Sequence, residues 1–234
     1  MRRIAIVSFV LLLAMVAESG IVRANMGGLA TSYIQNRGGG LPDGCVAIEY
    51  LESAGGIQWI DTGIVVDDNN YVLKCDMERT QVPSLAWCGY FGSYPLSTQS
   101  PCTRLINSGT SVNLYVNYSR VGSGGNTAPG YTIFDPSVRT VYMLYNGKLD
   151  YYRNEKLFYS LSISAPNGID TDTIRVFGDG AYMRLYRFSI MYNGEPIIDL
   201  IPVRDDVVGC LYDTISGQLF YNEGTDEFIV GPDL

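Results

Sequence analysis

The stretch that decides the fold is residues 182–203, which read YMRLYRFSIMYNGEPIIDLIPV. Apolar and polar side chains alternate on both sides of Asn193-Gly194, and aromatic and β-branched residues are frequent. Such alternation is typical of half-buried strands, and Asn-Gly suits the type I′ turn, whose two central residues both need positive φ. The stretch therefore predicts a long β-hairpin with strands at 182–192 and 197–203.

The same pattern extends through the chain on either side of this hairpin. Asn146-Gly147 and Ser216-Gly217 stand between apolar segments and predict two further hairpins. No segment downstream of residue 24 keeps a helical apolar period, so we expect helices to be short or absent. The remaining predicted strands are 46–52, 57–66, 71–77, 85–91, 103–107, 112–118, 139–145, 173–177, 209–212, 218–221 and 227–230.

The number and shortness of these strands limit the fold class. Short strands with one apolar and one polar face cannot all bury their apolar faces in a single open sheet. They must form two stacked sheets or a closed barrel. The residues alone predict an all-β domain and leave that choice open.

The N-terminal segment, residues 1–24, reads as a signal peptide. Arg2 and Arg3 precede an apolar run from Ile4 to Ala17, and Val22-Arg23-Ala24 offers the small-residue pattern of a cleavage site. The alternative is a retained membrane anchor, although a helix needs about 20 apolar residues to cross a bilayer core. We expect cleavage and a secreted, cell-surface or periplasmic location.

A glycine-rich leader and one domain follow. Residues 25–44 show no strand or helix period and predict a flexible leader, and residues 45–234 form the predicted β-domain. The chain carries a formal net charge of −8, and cleavage would remove three arginines and one glutamate, which makes it more acidic. This charge argues against nucleic acid as a partner, and membrane contact is expected only if the N-terminal segment is retained.

The cysteines set limits on disulfides and metals. There are five, Cys45, Cys75, Cys88, Cys102 and Cys210, so at least one stays a thiol or pairs between chains. Their spacing leaves both one disulfide and none open and identifies no pair. The chain has no histidine, which excludes a Cys/His zinc site.

Three motifs occur in a suggestive order. Residues 49–63 read EYLESAGGIQWIDTG, residues 184–190 and 199–204 read RLYRFSI and DLIPVR, and residues 209–222 read GCLYDTISGQLFYN. This set resembles the laminin-G-like (concanavalin A-like) jelly-roll domains of bacterial surface and phage tail proteins. The resemblance implies a sandwich of two antiparallel sheets, adjacent first and last strands, and a concave face or loop rim where glycans often bind. It does not imply one activity, because the fold carries lectins, glycosidases, lyases and structural modules.

Most motif residues also have a structural interpretation. Ile57 and Trp59, two positions apart, are expected on the core face of an early strand, and Gly63 would permit a bend. Asp213 is expected to bind backbone amides in the turn before Ser216-Gly217. The residues expected to anchor the last hairpin are Tyr212, Leu219 and Phe220.

The sequence favours a protein that is not an enzyme. Without histidine, Ser-His-Asp and Cys-His nucleophile systems are excluded. A glycosidase needs only two carboxylates, but the Glu-x-Asp-x-x-Glu strand of a well-known group with this fold is missing. The nearest run, residues 170–172, has no glutamate in register.

Calcium is the one cofactor that the residues suggest. Asp67 and Asp68 form one acidic loop with the asparagines that follow, and Asp205 and Asp206 form another. Calcium prefers carboxylate, amide and carbonyl oxygens, which such loops supply. The alternative is that Asp and Asn occupy turns for backbone reasons.

Tyrosine-rich segments are the candidates for ligand binding, since exposed aromatic rings stack on sugar rings and neighbouring polar groups donate hydrogen bonds. The alternative for these rings is core and cross-strand packing. The candidate residues are Tyr90, Tyr94, Tyr115, Asn117, Tyr118 and Arg120.

Three functions are consistent with the sequence. The leading hypothesis is an exported, non-catalytic recognition module that binds carbohydrate or another cell-surface ligand. The first alternative is a structural or adhesion module of a surface appendage or phage-derived fibre. The second is a polysaccharide-cleaving enzyme that uses acids not recognised in the sequence.

Overall fold

The computed structural model describes residues 40–68, 70–81, 88–94, 104–108, 111–116, 119–121, 137–145, 148–162, 172–178 and 180–234. The expected signal segment and residues 25–39 of the expected leader lie outside these ranges. The described residues contain strands and turns and no helix. Among them there is accordingly no helix long and apolar enough to span a membrane.

Seventeen strands are present in the described chain. They are β1 Cys45–Ala47, β2 Leu51–Ala54, β3 Ile60–Val65, β4 Tyr71–Arg79, β5 Cys88–Gly92, β6 Arg104–Ser108, β7 Ser111–Val116, β8 Ser119–Val121, β9 Thr140–Tyr145, β10 Lys148–Arg153, β11 Lys156–Ser162, β12 Thr173–Val176, β13 Tyr182–Tyr192, β14 Glu195–Asp205, β15 Val208–Asp213, β16 Leu219–Phe220 and β17 Ile229–Val230.

The strands form two antiparallel sheets. The larger sheet has eleven strands, with the main order β11-β10-β9-β4-β13-β14-β15-β16, while β1 pairs with β14 and β2 pairs with both β13 and β17. The smaller sheet has six strands in the order β3-β12-β5-β6-β7-β8. The described residues therefore form an all-β sandwich, which confirms the all-β class and two antiparallel sheets and resolves the choice between stacked sheets and a barrel.

The core lies between the two sheets. The fully buried side chains include Leu73 and Met77 from the larger sheet and Leu105 from the smaller one. The rings of Phe91 in β5 and Phe188 in β13 meet with centroids 5.8 Å apart and so join the sheets. Burying each such side chain stabilises the fold by about 1.5–3 kcal/mol.

The two ends of the domain pair with each other. β1 lies against β14, with Cys45 opposite Asp205, and Ile48 forms a bridge with Asp233. The amide of Leu234 donates to the carbonyl of Ala47 at 3.0 Å. The first strand and the last residues are thus neighbours, as the jelly-roll resemblance implies.

The predicted turns can be compared directly with the structure. Asn193 and Gly194 have φ of 52° and 84°, and Tyr192 pairs with Glu195, so the type I′ hairpin is confirmed. Gly217, with φ 77°, lies in the turn of the last hairpin, where Tyr212 pairs with Leu219. The Asn146-Gly147 turn lies outside the described residues.

The prediction for residues 57–59 is wrong. Ile57 is 53% exposed and precedes β3, whereas Gln58 and Ile60 are buried. The Gln58 amide is satisfied inside, because it accepts from the Ser53 hydroxyl at 2.6 Å and donates to the Glu227 carbonyl at 2.6 Å. This buried polar side chain moves the inward positions by one residue and turns Trp59 away from the core.

The expected bend at Gly63 is confirmed. Gly63 has φ 69°, in the left-handed region that favours glycine. The pairing of β3 with β12 shifts register here, since Thr173 lies opposite Val65 and Arg175 lies opposite Asp61.

The cysteines that the structure describes are thiols. Cys45, Cys75 and Cys210 are free, which excludes a disulfide among these three. The side chains of Cys88 and Cys102 lie outside the described part of the chain.

Candidate functional site: a row of arginines on the smaller sheet

The charged residues of the smaller sheet are confined to one line. The sequences of its six strands contain four charged residues in all, one aspartate and three arginines. All four lie on one line that runs across the six strands. Each residue of this line is the pairing partner of the next, and two uncharged residues complete it. We call this line the arginine row, and its members in spatial order are Asp61, Arg175, Gly92, Arg104, Tyr115 and Arg120.

The described charged side chains of the arginine row lie on the face of the sheet that points away from the core. The residues next to it along the strands, Ile60, Val176, Phe91 and Leu105, are completely buried. Because neighbouring residues of a strand lie on opposite faces, Asp61, Arg175 and Arg104 lie on the outer face. With strands about 4.8 Å apart, the six positions of the row extend over roughly 24 Å.

One end of the row is built around Trp59. The Arg175 guanidinium lies 3.9 Å from the centroid of the Trp59 ring, a cation–π contact. The Asp61 carboxylate accepts from the Thr173 hydroxyl at 2.6 Å and from the Gly63 amide at 2.8 Å. Its ion pair with Arg175 is long, 3.9 Å, so Asp61 is held mainly by its own strand and its neighbour.

Tyr94 lies beside the middle of the row. The Arg104 guanidinium lies 5.8 Å from the centroid of the Tyr94 ring. A side chain on Gly178 would meet the Tyr94 hydroxyl at 2.6 Å, and one on Gly89 would overlap the same phenol. The two glycines therefore make the space in which the half-buried tyrosine lies.

The structure places some of the predicted ligand-binding residues at the arginine row and one of them in the core. Tyr94, Tyr115 and Arg120 belong to the row or border it, although the side chains of Tyr115 and Arg120 are not described. Asn117 and Tyr118 lie outside the described residues. Tyr90 has no exposed surface and belongs to the core, because the register of β5 against β6 shifts between Gly89 and Phe91. Its ring is therefore not available to a ligand.

The outer face of the larger sheet also carries arginines and aromatic rings. Arg184 contacts Glu52 at 2.6 Å and Glu78 at 3.6 Å, and its guanidinium lies 4.5 Å from the centroid of Tyr50. The Tyr186 hydroxyl donates to Glu78 at 2.8 Å. Burial and this hydrogen bond raise the pKa of Tyr186 above its usual value.

Two further arginines of that face form close ion pairs. Arg139 binds Asp76 through two nitrogens, at 2.9 and 2.8 Å. Arg187 binds Asp199 in the same bidentate way, at 2.7 and 2.6 Å. Arg139, Arg184 and Arg187 on the larger sheet are thus each paired with a carboxylate.

The predicted calcium residues serve turns in the structure. Asp68 accepts from the amide of Asn70 at 2.7 Å and from the Tyr192 hydroxyl at 3.0 Å, while Asp67 is exposed. Asp205 accepts from the Tyr221 hydroxyl at 2.5 Å, and the carbonyl of Asp206 accepts from Arg204 at 2.6 Å. Within the described residues no group of three or more Cys, Asp or Glu side chains is arranged to hold a metal ion. Calcium binding stays a prediction from the sequence.

The sequence reasoning missed Trp59, Arg104 and Arg175. The linear sequence gives little reason to select the two arginines, because each is simply the one charged residue of a short strand. Comparison of the chain with protein-family models and with curated proteins finds no match.

Proposed function

We propose that this chain is an exported recognition module that binds a glycan on the outer face of its smaller sheet. The observation that carries the proposal is the arginine row, in which every charged residue of six strands falls on one line. Trp59 and Tyr94 border the line and are partly exposed. Aromatic faces combined with a few polar groups of fixed position are the usual elements of a ligand site.

The laminin-G-like resemblance supports the same proposal. The two antiparallel sheets and the adjacent ends of the domain are compatible with the jelly roll that this family would bring. Glycan binding on a sheet face is frequent in that family. We therefore propose a laminin-G-like jelly roll that works outside the cytoplasm, at the cell surface, in the periplasm or in the medium.

A glycan array tests the proposal. The purified chain should bind at least one class of glycan, and Trp59→Ala and Tyr115→Ala should each weaken the binding about tenfold. Tyr50→Ala is the matched control, because this partly exposed tyrosine contacts an arginine on the other sheet. No binding to any glycan, together with a stable oligomer in light scattering, would favour the structural or adhesion module instead.

A polysaccharide-cleaving enzyme is the second candidate, and one observation favours it. Glu52 and Glu78 lie directly opposite Arg184 on its two sides, in β2 and β4. Both carboxylates contact the Arg184 guanidinium, at 2.6 and 3.6 Å, and a pair of neighbouring carboxyl groups is what a glycosidase requires. Release of reducing ends from a polysaccharide, abolished in both Glu52→Gln and Glu78→Gln, would establish this activity. Equal release by Glu223→Gln would serve as the control.

A further inference from the structure

Ile57 and Trp59 form an apolar strip on the outer side of the chain, just before β3. Ile57 is 53% exposed and Trp59 is partly exposed, whereas the alternating residues Gln58 and Ile60 are buried. Successive side chains of an extended segment point to opposite sides, so Ile57 and Trp59 share the outer one. We call these two residues the Trp59 platform, and it borders one end of the arginine row.

The backbone of the Trp59 platform is fixed by the segment that follows β16. The Asn222 side chain accepts from the Trp59 amide at 3.1 Å, and the Glu223 amide donates to the Trp59 carbonyl at 2.9 Å. The segment also comes so close to the platform that a side chain on Gly224 would overlap the carbonyl of Ile57. Only glycine permits this approach, and the platform is therefore held on a fixed backbone.

The indole ring is held as well as the backbone. The Arg175 guanidinium lies 3.9 Å from the centroid of the Trp59 ring and so covers one of its two faces. The same guanidinium is 3.9 Å from the Asp61 carboxylate, which opposes its charge. A side chain that is already fixed loses little conformational freedom when a ligand binds, and this favours affinity.

An aromatic ring beside an exposed apolar side chain matches the apolar C–H face of a sugar ring. We infer that the glycan is neutral, that is, without carboxylate, sulfate or amine groups, and that one of its sugars packs on the Trp59 platform. This inference rests on the proposed glycan-binding function and names the ligand class for the Trp59 end of that site. Sugar hydroxyls both donate and accept, and Arg175 and Asp61 beside the ring supply a donor and an acceptor.

The charges around the Trp59 platform disfavour an acidic sugar. Glu223 and Asp226 are both exposed, and the Asp226 carboxylate accepts from the Ile57 amide at 2.8 Å. The guanidinium that contacts the ring is already opposed by a carboxylate. An anionic ligand would therefore be repelled by exposed carboxylates, in a chain whose net charge is −8.

A sugar with a free amine fits less well for a different reason. Arg175 already lies against one face of the Trp59 ring and makes the cation–π contact there. A second cation on this ring would be repelled by the guanidinium at close range. A neutral sugar avoids both kinds of repulsion.

A glycan array that carries neutral, carboxylated, sulfated and amine-bearing glycans tests the ligand class with the full chain. We expect the bound glycans to be neutral. Their binding should change little between low and physiological salt, because salt screens only interactions between charges. A carboxylated, sulfated or amine-bearing glycan that bound more tightly than every neutral one would overturn this inference and leave glycan recognition standing.

Variants and fluorescence test the position of the sugar. Trp59→Ala should lower the affinity for neutral glycans about tenfold, and Trp59→Phe, which keeps a smaller aromatic face, should lower it less. Trp59 is one of two tryptophans, so Trp87→Phe leaves it as the only one, and its emission should shift when a neutral oligosaccharide of the array is added. Tyr50→Ala is the matched control on the larger sheet, and urea unfolding of each variant confirms the fold.

The outcomes separate this inference from the proposed function. If Trp59→Ala bound neutral glycans as tightly as the unchanged protein while Tyr115→Ala did not, the Trp59 platform would not be the contact, and glycan recognition would stand. Unchanged emission of Trp59 on binding would lead to the same conclusion. If no glycan of any class bound, the proposed function itself would fail, and this inference with it.

Discussion

The carboxylate of Asp213 accepts a hydrogen bond of 2.8 Å from the backbone amide of Asp199, which links the end of β15 to the middle of β14. The same carboxylate accepts from the amides of Ile215 and Ser216 at 3.2 and 3.0 Å, and from the Ser216 hydroxyl at 2.6 Å. Asp213 is 1% exposed, and its bond with the Asp199 amide is buried, whereas its bonds with Ile215 and Ser216 are partly buried. The predicted role of Asp213 in the turn is confirmed.

We expect Asp213→Ala to lower the free energy of unfolding by about 2–3 kcal/mol, because it leaves one buried and three partly buried donors without their acceptor. Asp213→Asn should lose less, since its amide oxygen still accepts. Urea denaturation measures both effects, with Glu223→Ala, an exposed acid, as the control. If Asp213→Ala lowered the free energy of unfolding no more than the control does, the structural role of Asp213 would be contradicted.

The sequence predicted the parts of the fold that depend on local pattern. The long hairpin around Asn193-Gly194 and the turn at Gly217 follow from alternation and from residues that tolerate positive φ. β10 and β11 were not predicted, because their alternation includes lysine, aspartate and tyrosine on both faces. Local pattern therefore missed two neighbouring strands at one end of the larger sheet.

The candidate site was less predictable for a physical reason. The arginine row depends on the register of six strands, and the strand order β3-β12-β5-β6 brings residues 61, 175, 92 and 104 together. Nothing in a linear sequence specifies such long-range pairing. The burial of Tyr90 likewise depends on the register shift of β5, which alternation alone does not reveal.

The contact between Trp59 and Arg175 should make a measurable contribution to stability. A cation–π pair at a partly exposed site is worth about 0.5–1 kcal/mol. A double-mutant cycle of Trp59→Leu and Arg175→Gln should give a coupling of that size in urea denaturation. Val207→Ala, at an exposed turn position, should show no coupling with Arg175→Gln. Zero coupling for the first pair would show that the ring and the guanidinium do not meet in solution.

The buried thiols should react slowly in the folded protein. Burial raises the pKa of Cys210 to about 12 and raises that of Cys75 well above its usual value. Because the thiolate is the nucleophile, we expect iodoacetamide at about pH 8 to modify Cys210 roughly a thousandfold more slowly than in the unfolded chain. Peptide mass spectrometry measures each site. Partly exposed Cys45 should react faster than the two buried thiols, and the reverse order would refute the placement of Cys210.

Asp150 should make stability depend on pH in the acid range. Its side chain lies on the outer face of β10, is nearly buried, and accepts from the Tyr145 hydroxyl at 2.7 Å and from Lys148 Nζ at 3.1 Å. Burial by itself would raise the pKa of Asp150, but hydrogen bonds from Ser160, Tyr145 and Lys148 lower it below its usual value. The folded state therefore binds the proton less readily than the unfolded state does.

The sign of the effect follows from this difference. Stability from Asp150 is fully present above the ordinary aspartate pKa of about 4 and is lost as pH falls through the lowered folded pKa. We expect Asp150→Asn to lower the free energy of unfolding by about 1–3 kcal/mol at neutral pH and by much less at about pH 2.5. Urea denaturation at both pH values measures the difference in free energy of unfolding between Asp150→Asn and the unchanged protein. Asp43→Asn, at an exposed turn, is the control. If this difference stayed constant between the two pH values, the pKa of Asp150 would be the same in the folded and unfolded states.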